Sequence, residues 1–496
     1  MEYTSLLLFL SFLWICFAVT THTKRSRLPP GPFPLPIVGN LLKLDANLHK
    51  SLAELAKIHG PLMTLQLGNI TNMVVSSSKM AKEILQKNDQ AFANRTVPDS
   101  VKIIDHHKYS LVWIPYSSQW RDLRKLFNTG FYLSQSLEAK QELRHKKVEE
   151  LVAFVEEKCK NKCAVEIGQV AFSTVLNFIS NTVFSVDLTH LDSSYAQDFK
   201  AAVWGILEEA AKPNLSDFFP ILRYIDPQGI RSRLEGHAKK LDKILGELIN
   251  QRLESKELGV SETSCDFLDI ILEFTHENGS KLCDAAVKAL LKDIFVAGTD
   301  TSSSTVEWTM TELLKNPDIM VKAQSELRET ITENKPIEES DIDNLHYLQA
   351  IIKETFRLHP PVPFLIPHRA VTDVEMCGFI VPKNTQVLIN VWTMGRDPET
   401  WEDPITFRPE RFLNSSMDFK GRDFELIPFG AGRRICPGLP LAHRMVTLML
   451  ASLLHVFDWK LEGGMKPEDI DMEGKFGITL QKAIPLKAVP CKIRSY

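Results

Sequence analysis

The sequence predicts a mainly α-helical protein with small β-sheets, one large body carried behind a single N-terminal membrane-anchor helix. Three observations predict it. Apolar stripes at i, i+3, i+4 spacing run from about residue 118 to 330. Strand-like composition is confined to short runs such as 61–67, 72–76 and 386–391. Residues 6–19 form an apolar run broken by one Ser, unlike anything after it.

That first run is short for a membrane span, which wants about 20 residues, but Tyr3 to Thr20 lengthens it. A cleaved secretory signal carries positive charge ahead of its apolar run. Here only Glu2 precedes it, and Lys24, Arg25 and Arg27 follow. The positive-inside rule then keeps the downstream chain cytosolic, so residues 1–28 are expected to be an uncleaved single-pass anchor. Five prolines between 29 and 36 exclude helix and central strand, and 29–40 is expected to be a stiff hinge. From 41 to 496 no repeat, linker or charge block divides the chain, so this stretch is expected to be one domain. A hydrophobic share of 44% supplies a large core. Lys and Arg number 58 against 62 Asp and Glu, a net charge of −4 that argues against a nucleic-acid partner. The 8 Cys are irregularly spaced and suggest no disulfide framework. A cytosolic body would leave the Asn-x-Ser/Thr triplets at Asn69, Asn94, Asn214, Asn278 and Asn414 unglycosylated.

The most informative run is Phe429-Gly430-Ala431-Gly432-Arg433-Arg434-Ile435-Cys436-Pro437-Gly438. Its glycines let the backbone turn tightly and approach a flat ligand. Cys436 stands just before an apolar helical stretch, 439–457, whose N-terminus favours a thiolate. Arg434 is placed to meet an anionic group. A second signal lies in Val287, Leu291, Ile294, Gly298, Thr301, Thr305 and Trp308, spaced by alternating fours and threes. One stripe therefore passes through Ala297-Gly298-Thr299-Asp300-Thr301 without a slip, against the alternative of a new helix capped at Ser304. Gly in a helix costs about 1 kcal/mol relative to Ala, so Gly298 on that stripe suggests something lying against the backbone. Asp300 and Thr301 offer an acid and a hydroxyl suited to moving protons. Third, Glu354 falls in line with Tyr347, Ile351 and Leu358, and a buried carboxylate needs strong partners. Arg357 is one and Arg411 a plausible second.

The cysteine run resembles the haem-thiolate signature of the cytochrome P-450 superfamily. Ala297–Thr301, Glu354-x-x-Arg357 with Arg411, and Trp120-x-x-x-Arg124 resemble its other motifs, in order, over essentially the whole chain. The resemblance implies the cytochrome P-450 fold and haem b (iron protoporphyrin IX). It implies that Cys436 is the axial ligand, with Phe429, Gly432, Arg434 and Gly438 around it. Trp120 and Arg124 would hold the propionates, joined by His368 or by Arg369. Thr301 would position a proton-donating water and Asp300 would link it to solvent. Glu354, Arg357 and Arg411 would lock the core. Ile103, Ile104, Leu111, Val112, Trp113, Val362, Phe364, Leu365, Ile366 and Ile478 would line an apolar pocket with Ala297 and Gly298.

The implied activity is monooxygenation in the endoplasmic reticulum membrane. One atom of O2 enters a substrate C–H bond and the other leaves as water. Electrons would come from NADPH through a flavoprotein reductase, NADPH-cytochrome P-450 reductase, steered by Arg121, Arg124, Lys125 and Arg433. Segments 360–367 and 423–428 resemble plant microsomal members of the geraniol 8-hydroxylase group, so the expected substrate is a small lipophilic terpenoid alcohol. Segments 94–101 and 105–108 resemble a tyrosine-hydroxylating branch, which is the alternative, along with sesquiterpene or diterpene oxidation. A haem sensor or carrier is the non-enzyme alternative, and Asp300 with Thr301 count against it.

Overall fold

A computed structural model describes residues 27–190, 194–257, 266–276, 279–331 and 336–492. The expected anchor helix falls almost wholly outside them. The helices that position the site are α1 (Ser118–Phe127), α2 (Ile167–Phe184), α3 (Ser194–Ala211), α4 (Ile230–Glu257), α5 (Asp284–Lys315), α6 (His346–Leu358) and α7 (Leu439–Val456). α5 runs through the middle of the body and packs on α2, α6 and α7. α2 and α7 are apolar and long enough to cross a membrane, but 94% of α2 and 61% of α7 are buried. Both are core helices.

α5 is one helix across the glycine, as its stripe predicts. Ser304 does not cap a new helix; its hydroxyl donates to Leu480 O. The hydroxyls of Thr299, Thr301, Ser303 and Thr305 each donate to the carbonyl four residues back. Residues that favour caps and turns thus satisfy their polar groups inside the helix.

The strands β1 (Leu62–Leu67), β2 (Ile70–Val75), β3 (Asn94–Arg95), β4 (His368–Arg369) and β5 (Gln386–Ile389) form a sheet in the order β1-β2-β5-β4-β3. β1 and β2 are joined through Gly68-Asn69. Near the C-terminus β6 (Gly474–Phe476) and β7 (Leu480–Lys482) make a short hairpin. The proline-rich segment is not a free hinge. Thr64 N donates to Pro30 O, and Asn40 Nδ2 donates to Pro32 O and Phe33 O, so it lies along the edge of β1. Gly39, at φ 64°, bridges to Leu67. A Cβ there would stand 2.1 Å from Gln66 O, so only glycine fits.

Candidate active site

A cavity of about 320 Å³ lies between α5, the cysteine loop and the sheet. α5 shows how the sequence opens it. Its flanks are buried, but Val296, Ala297, Gly298 and Thr301 are partly accessible because they face this space. What approaches Gly298 is Ile179 of α2: a Cβ on the glycine would stand 2.8 Å from Ile179 Cδ1. Thr301 lines the cavity and donates its hydroxyl hydrogen to Ala297 O at 2.8 Å, leaving the oxygen to accept from a cavity water.

Cys436 also lines the cavity. Its side chain is accessible to that cavity. Burial pushes the thiol up, and the N–H groups of Gly438 and Leu439, with Arg124, pull it back toward thiolate. The loop holds its shape through Cys436 N donating to Phe429 O at 3.0 Å. Phe429 lines the cavity and meets Phe356 edge-on at 5.2 Å. Gly438 caps α7. Gly432 is not on the cavity wall. It passes so close to Leu85 that a Cβ would stand 2.0 Å from Leu85 O, and its φ is 68°. Its role is to let the loop pass, a correction to the expected cofactor contact.

Arg95, Arg124, Arg434 and His368 gather on the cavity wall. Arg95 pairs with His368 across β3 and β4, so both side chains leave one face of the sheet. Arg369 and Asn94 face the other way, and Arg369 is not on the wall. Of His368 and Arg369, only His368 is on the cavity wall. Burial lowers Arg95 and His368, and places Arg434 at about 10 with Arg124 beside it. Arg124 stacks on Trp120 and has no ion-pair or hydrogen-bond partner among the described residues. Arg95 Nε is also unpartnered. Two expected contacts differ in detail. Trp120 Nε1 donates to Leu111 O at 3.1 Å, so the indole N–H is already taken. The Arg434 guanidinium donates to Ala93 O, Leu111 O and Ile114 O.

These cations test the implied cofactor. The one carboxylate among the described lining residues, Asp293, accepts from His106, Ser110 Oγ and Leu111 N at 2.8–2.9 Å and is satisfied. Buried guanidinium groups without a counter-charge are costly. A flat apolar group carrying two carboxylates, with a metal at the Cys436 sulfur, supplies the missing anions and uses the thiolate. Haem fits this donor set. Arg95 is the residue that sequence reasoning missed. Two-residue β3 gives no periodic signal, and its partner His368 is remote in sequence.

Behind the loop, Glu354 is wholly buried. Arg357 binds it through two bonds of 2.7 Å, Arg411 Nε donates at 3.1 Å, and Arg408 N donates at 2.7 Å. Arg357 also donates to the carbonyls of Gly395, Pro404 and Thr406. Glu354 thereby ties α6 to the chain around 395–411.

Of the remaining pocket residues, Ile104, Val112, Trp113, Val362, Leu365, Ile366, Ala297, Gly298 and Ile478 line the cavity. Leu365 does so at φ 54°, strained for a side chain of its kind. Two expectations are corrected. Ile103 turns outward and is 37% exposed, because it follows a short helix whose buried face is Asp99–Val101. Phe364 points away from the cavity and meets Phe476 edge-on at 6.0 Å, in a cluster with Leu52, Met63 and Leu388. Asp300 is fully buried. It accepts from Thr479 Oγ1 and Gln481 Nε2, while burial pushes its carboxyl above the usual range. The expected basic patch also breaks up. Arg124 is inside, and Arg433 pairs with Asp89 at 2.9 Å and donates to Tyr116 Oη. Arg121 and Lys125 are exposed.

The fold and site agree with known proteins. The chain is 52% identical over 492 residues to a geraniol 8-hydroxylase of Catharanthus roseus, covering 99% of each chain. It is 53% identical over 467 residues to a geraniol 8-hydroxylase of Swertia mussotii, covering 94% of each. A zebrafish cytochrome P450 solved with progesterone superposes with a TM-score of 0.75 at 27% identity, covering 89% of this chain and 99% of that one. The Cytochrome P450 family model matches residues 29–486. The chain is a haem-thiolate monooxygenase that takes electrons from a redox partner, and it belongs to the cytochrome P450 family.

Proposed function

We propose that this enzyme hydroxylates a small terpenoid alcohol such as geraniol. The observation that carries the reading is the composition of the cavity wall around Thr301: Ile104, Leu111, Val112, Trp113, Val362, Leu365, Ile366 and Ile478. An apolar wall with a few polar groups suits a lipophilic molecule with one hydroxyl. The two plant relatives named for geraniol agree. Tyrosine would need partners for its ammonium and carboxylate. Apart from the cations assigned to the propionates, the lining charges are engaged: Lys292 with Asp242 at 2.8 Å, and Asp293 with its three donors.

Bound haem supplies the oxidising chemistry. The chain's own residues divide the remaining work. Cys436 would give the haem iron its thiolate donor. Arg95, Arg124, Arg434 and His368 would hold the propionates. The Thr301 oxygen orients water in the cavity, and Asp300 supplies the proton reservoir. Electrons come from NADPH through a flavoprotein reductase.

Residues 1–28 anchor the enzyme in the endoplasmic reticulum membrane, with the body in the cytosol. An exposed apolar surface supports that placement. Phe33, Leu35, Ile37 and Leu42 lie on the chain that bridges to Leu67, and Ile221, Tyr224 and Ile225 follow Phe218, whose carbonyl accepts from Asn69 N. Both groups therefore meet at the β1–β2 turn. The test of substrate is full-length enzyme with reductase and NADPH, offered geraniol and tyrosine separately. Geraniol should give a substrate-binding spectrum and a hydroxylated product. Turnover of tyrosine with no response to geraniol-like alcohols would replace this reading.

A further inference from the structure

The C-terminal hairpin grips α5 where the acid stands. Thr479 Oγ1 and Gln481 Nε2 donate to the two carboxylate oxygens of Asp300, one to each. Between them, Leu480 O accepts from Ser304 Oγ at 3.3 Å and from Trp308 Nε1 at 3.1 Å. The same strand is tied to the cavity roof. Leu480 N donates to Pro361 O at 2.8 Å, and Ile478 N donates to Leu207 O of α3 at 3.1 Å. Ile478 and Thr479 line the cavity, whereas Asp300 does not. Gln481 is only half-buried.

The acid therefore has no direct face on the reaction space. Of its two donors, Thr479 lies on the cavity wall and Gln481 is half-buried. A hydroxyl both accepts and donates, so it can pass a proton between a carboxyl and a cavity water. A carboxylate held on both oxygens also keeps one orientation through turnover. We infer that Thr479 and Gln481 are positioning residues for proton delivery: the tail strand fixes the Asp300 carboxyl, and the Thr479 hydroxyl connects it to the cavity. This rests on the reading that Asp300 serves proton delivery at all.

The test uses full-length enzyme with reductase and measures product formed per NADPH consumed, hydrogen peroxide released, and the solvent isotope effect on product formation. Thr479→Val keeps the shape and removes the hydroxyl; Gln481→Ala removes the second donor. Each should lower product per NADPH several-fold, raise peroxide and enlarge the isotope effect, with an unchanged carbon-monoxide spectrum and substrate-binding constant. Thr479→Ser should restore the ratio. Wild-type ratios in both Thr479→Val and Gln481→Ala would overturn the inference. So would a Thr479→Ser enzyme as uncoupled as Thr479→Val, since packing rather than the hydroxyl would then matter. Asp300→Asn separates the two claims. If it is uncoupled while the tail variants are not, only the positioning role fails; if Asp300→Asn is itself tightly coupled, the proton-delivery reading and this inference fall together.

Discussion

Burial holds the Cys436 thiol above its ordinary range, and its neighbours oppose that only in part. The opposing pull comes from two N–H groups at the start of α7 and from Arg124. Serine at this position would keep the loop's volume but not its donor. Cys436→Ser should lose the strongly red-shifted Soret band of the reduced, carbon-monoxide-bound enzyme and all turnover; substantial activity in that variant would remove the thiolate assignment. Phe364 is a contrasting case, only two residues from cavity-lining Val362. Its ring belongs to the cluster with Phe476, Leu52 and Met63. Phe364→Ala should cost about 3–5 kcal/mol of stability, read as a lower unfolding midpoint, with product ratios unchanged. A shift in products without a loss of stability would put the ring back in the substrate pocket.

α6 shows how an element is held by a charge rather than by packing alone. Wholly buried, Glu354 receives two guanidinium groups and one backbone N–H. Removing one partner of such a buried cluster leaves the others uncompensated, a loss of about 3–5 kcal/mol. Glu354→Ala should therefore yield little folded, haem-containing protein, measured as the ratio of Soret to protein absorbance. A normal ratio would mean that the cluster is dispensable. Sequence made this element readable because Glu354, Tyr347, Ile351 and Leu358 repeat at helical spacing. α5 was readable for the same reason. What periodicity cannot carry is a contact between distant short elements. Arg95 reaches the cavity only because β3 pairs with β4, and Asp300 is buried only because β7 lies across α5. Both depend on residues more than 170 positions away, and neither two-residue β3 nor three-residue β7 leaves a pattern to find. The proline-rich segment misled in another way: its composition predicts stiffness, but not that stiffness would be used to lie along β1.

Across the whole molecule, the proposed membrane placement would use the apolar surface at the β1–β2 turn, and the expected reductase would meet the charged surface beside the cysteine loop. An acidic reductase would need access to the charged one, and a net charge of −4 does not prevent local attraction. The cations available to it are fewer than their sequence clustering suggests. Arg124 faces the cavity, and part of the Arg433 charge is answered by Asp89. Arg121 and Lys125 remain exposed on α1, the helix that also carries Trp120 and Arg124. Charges in water attract over roughly 10 Å at 0.1 M salt and less as salt rises. The rate of reduction by the reductase should therefore fall with ionic strength. The double substitution Arg121→Glu, Lys125→Glu should lower that rate at low salt and flatten its salt dependence, while leaving the carbon-monoxide spectrum intact. Stopped-flow reduction at several salt concentrations measures both effects. A wild-type rate independent of salt would mean that docking relies on apolar contact, and that Arg121 and Lys125 do no more than keep α1 soluble.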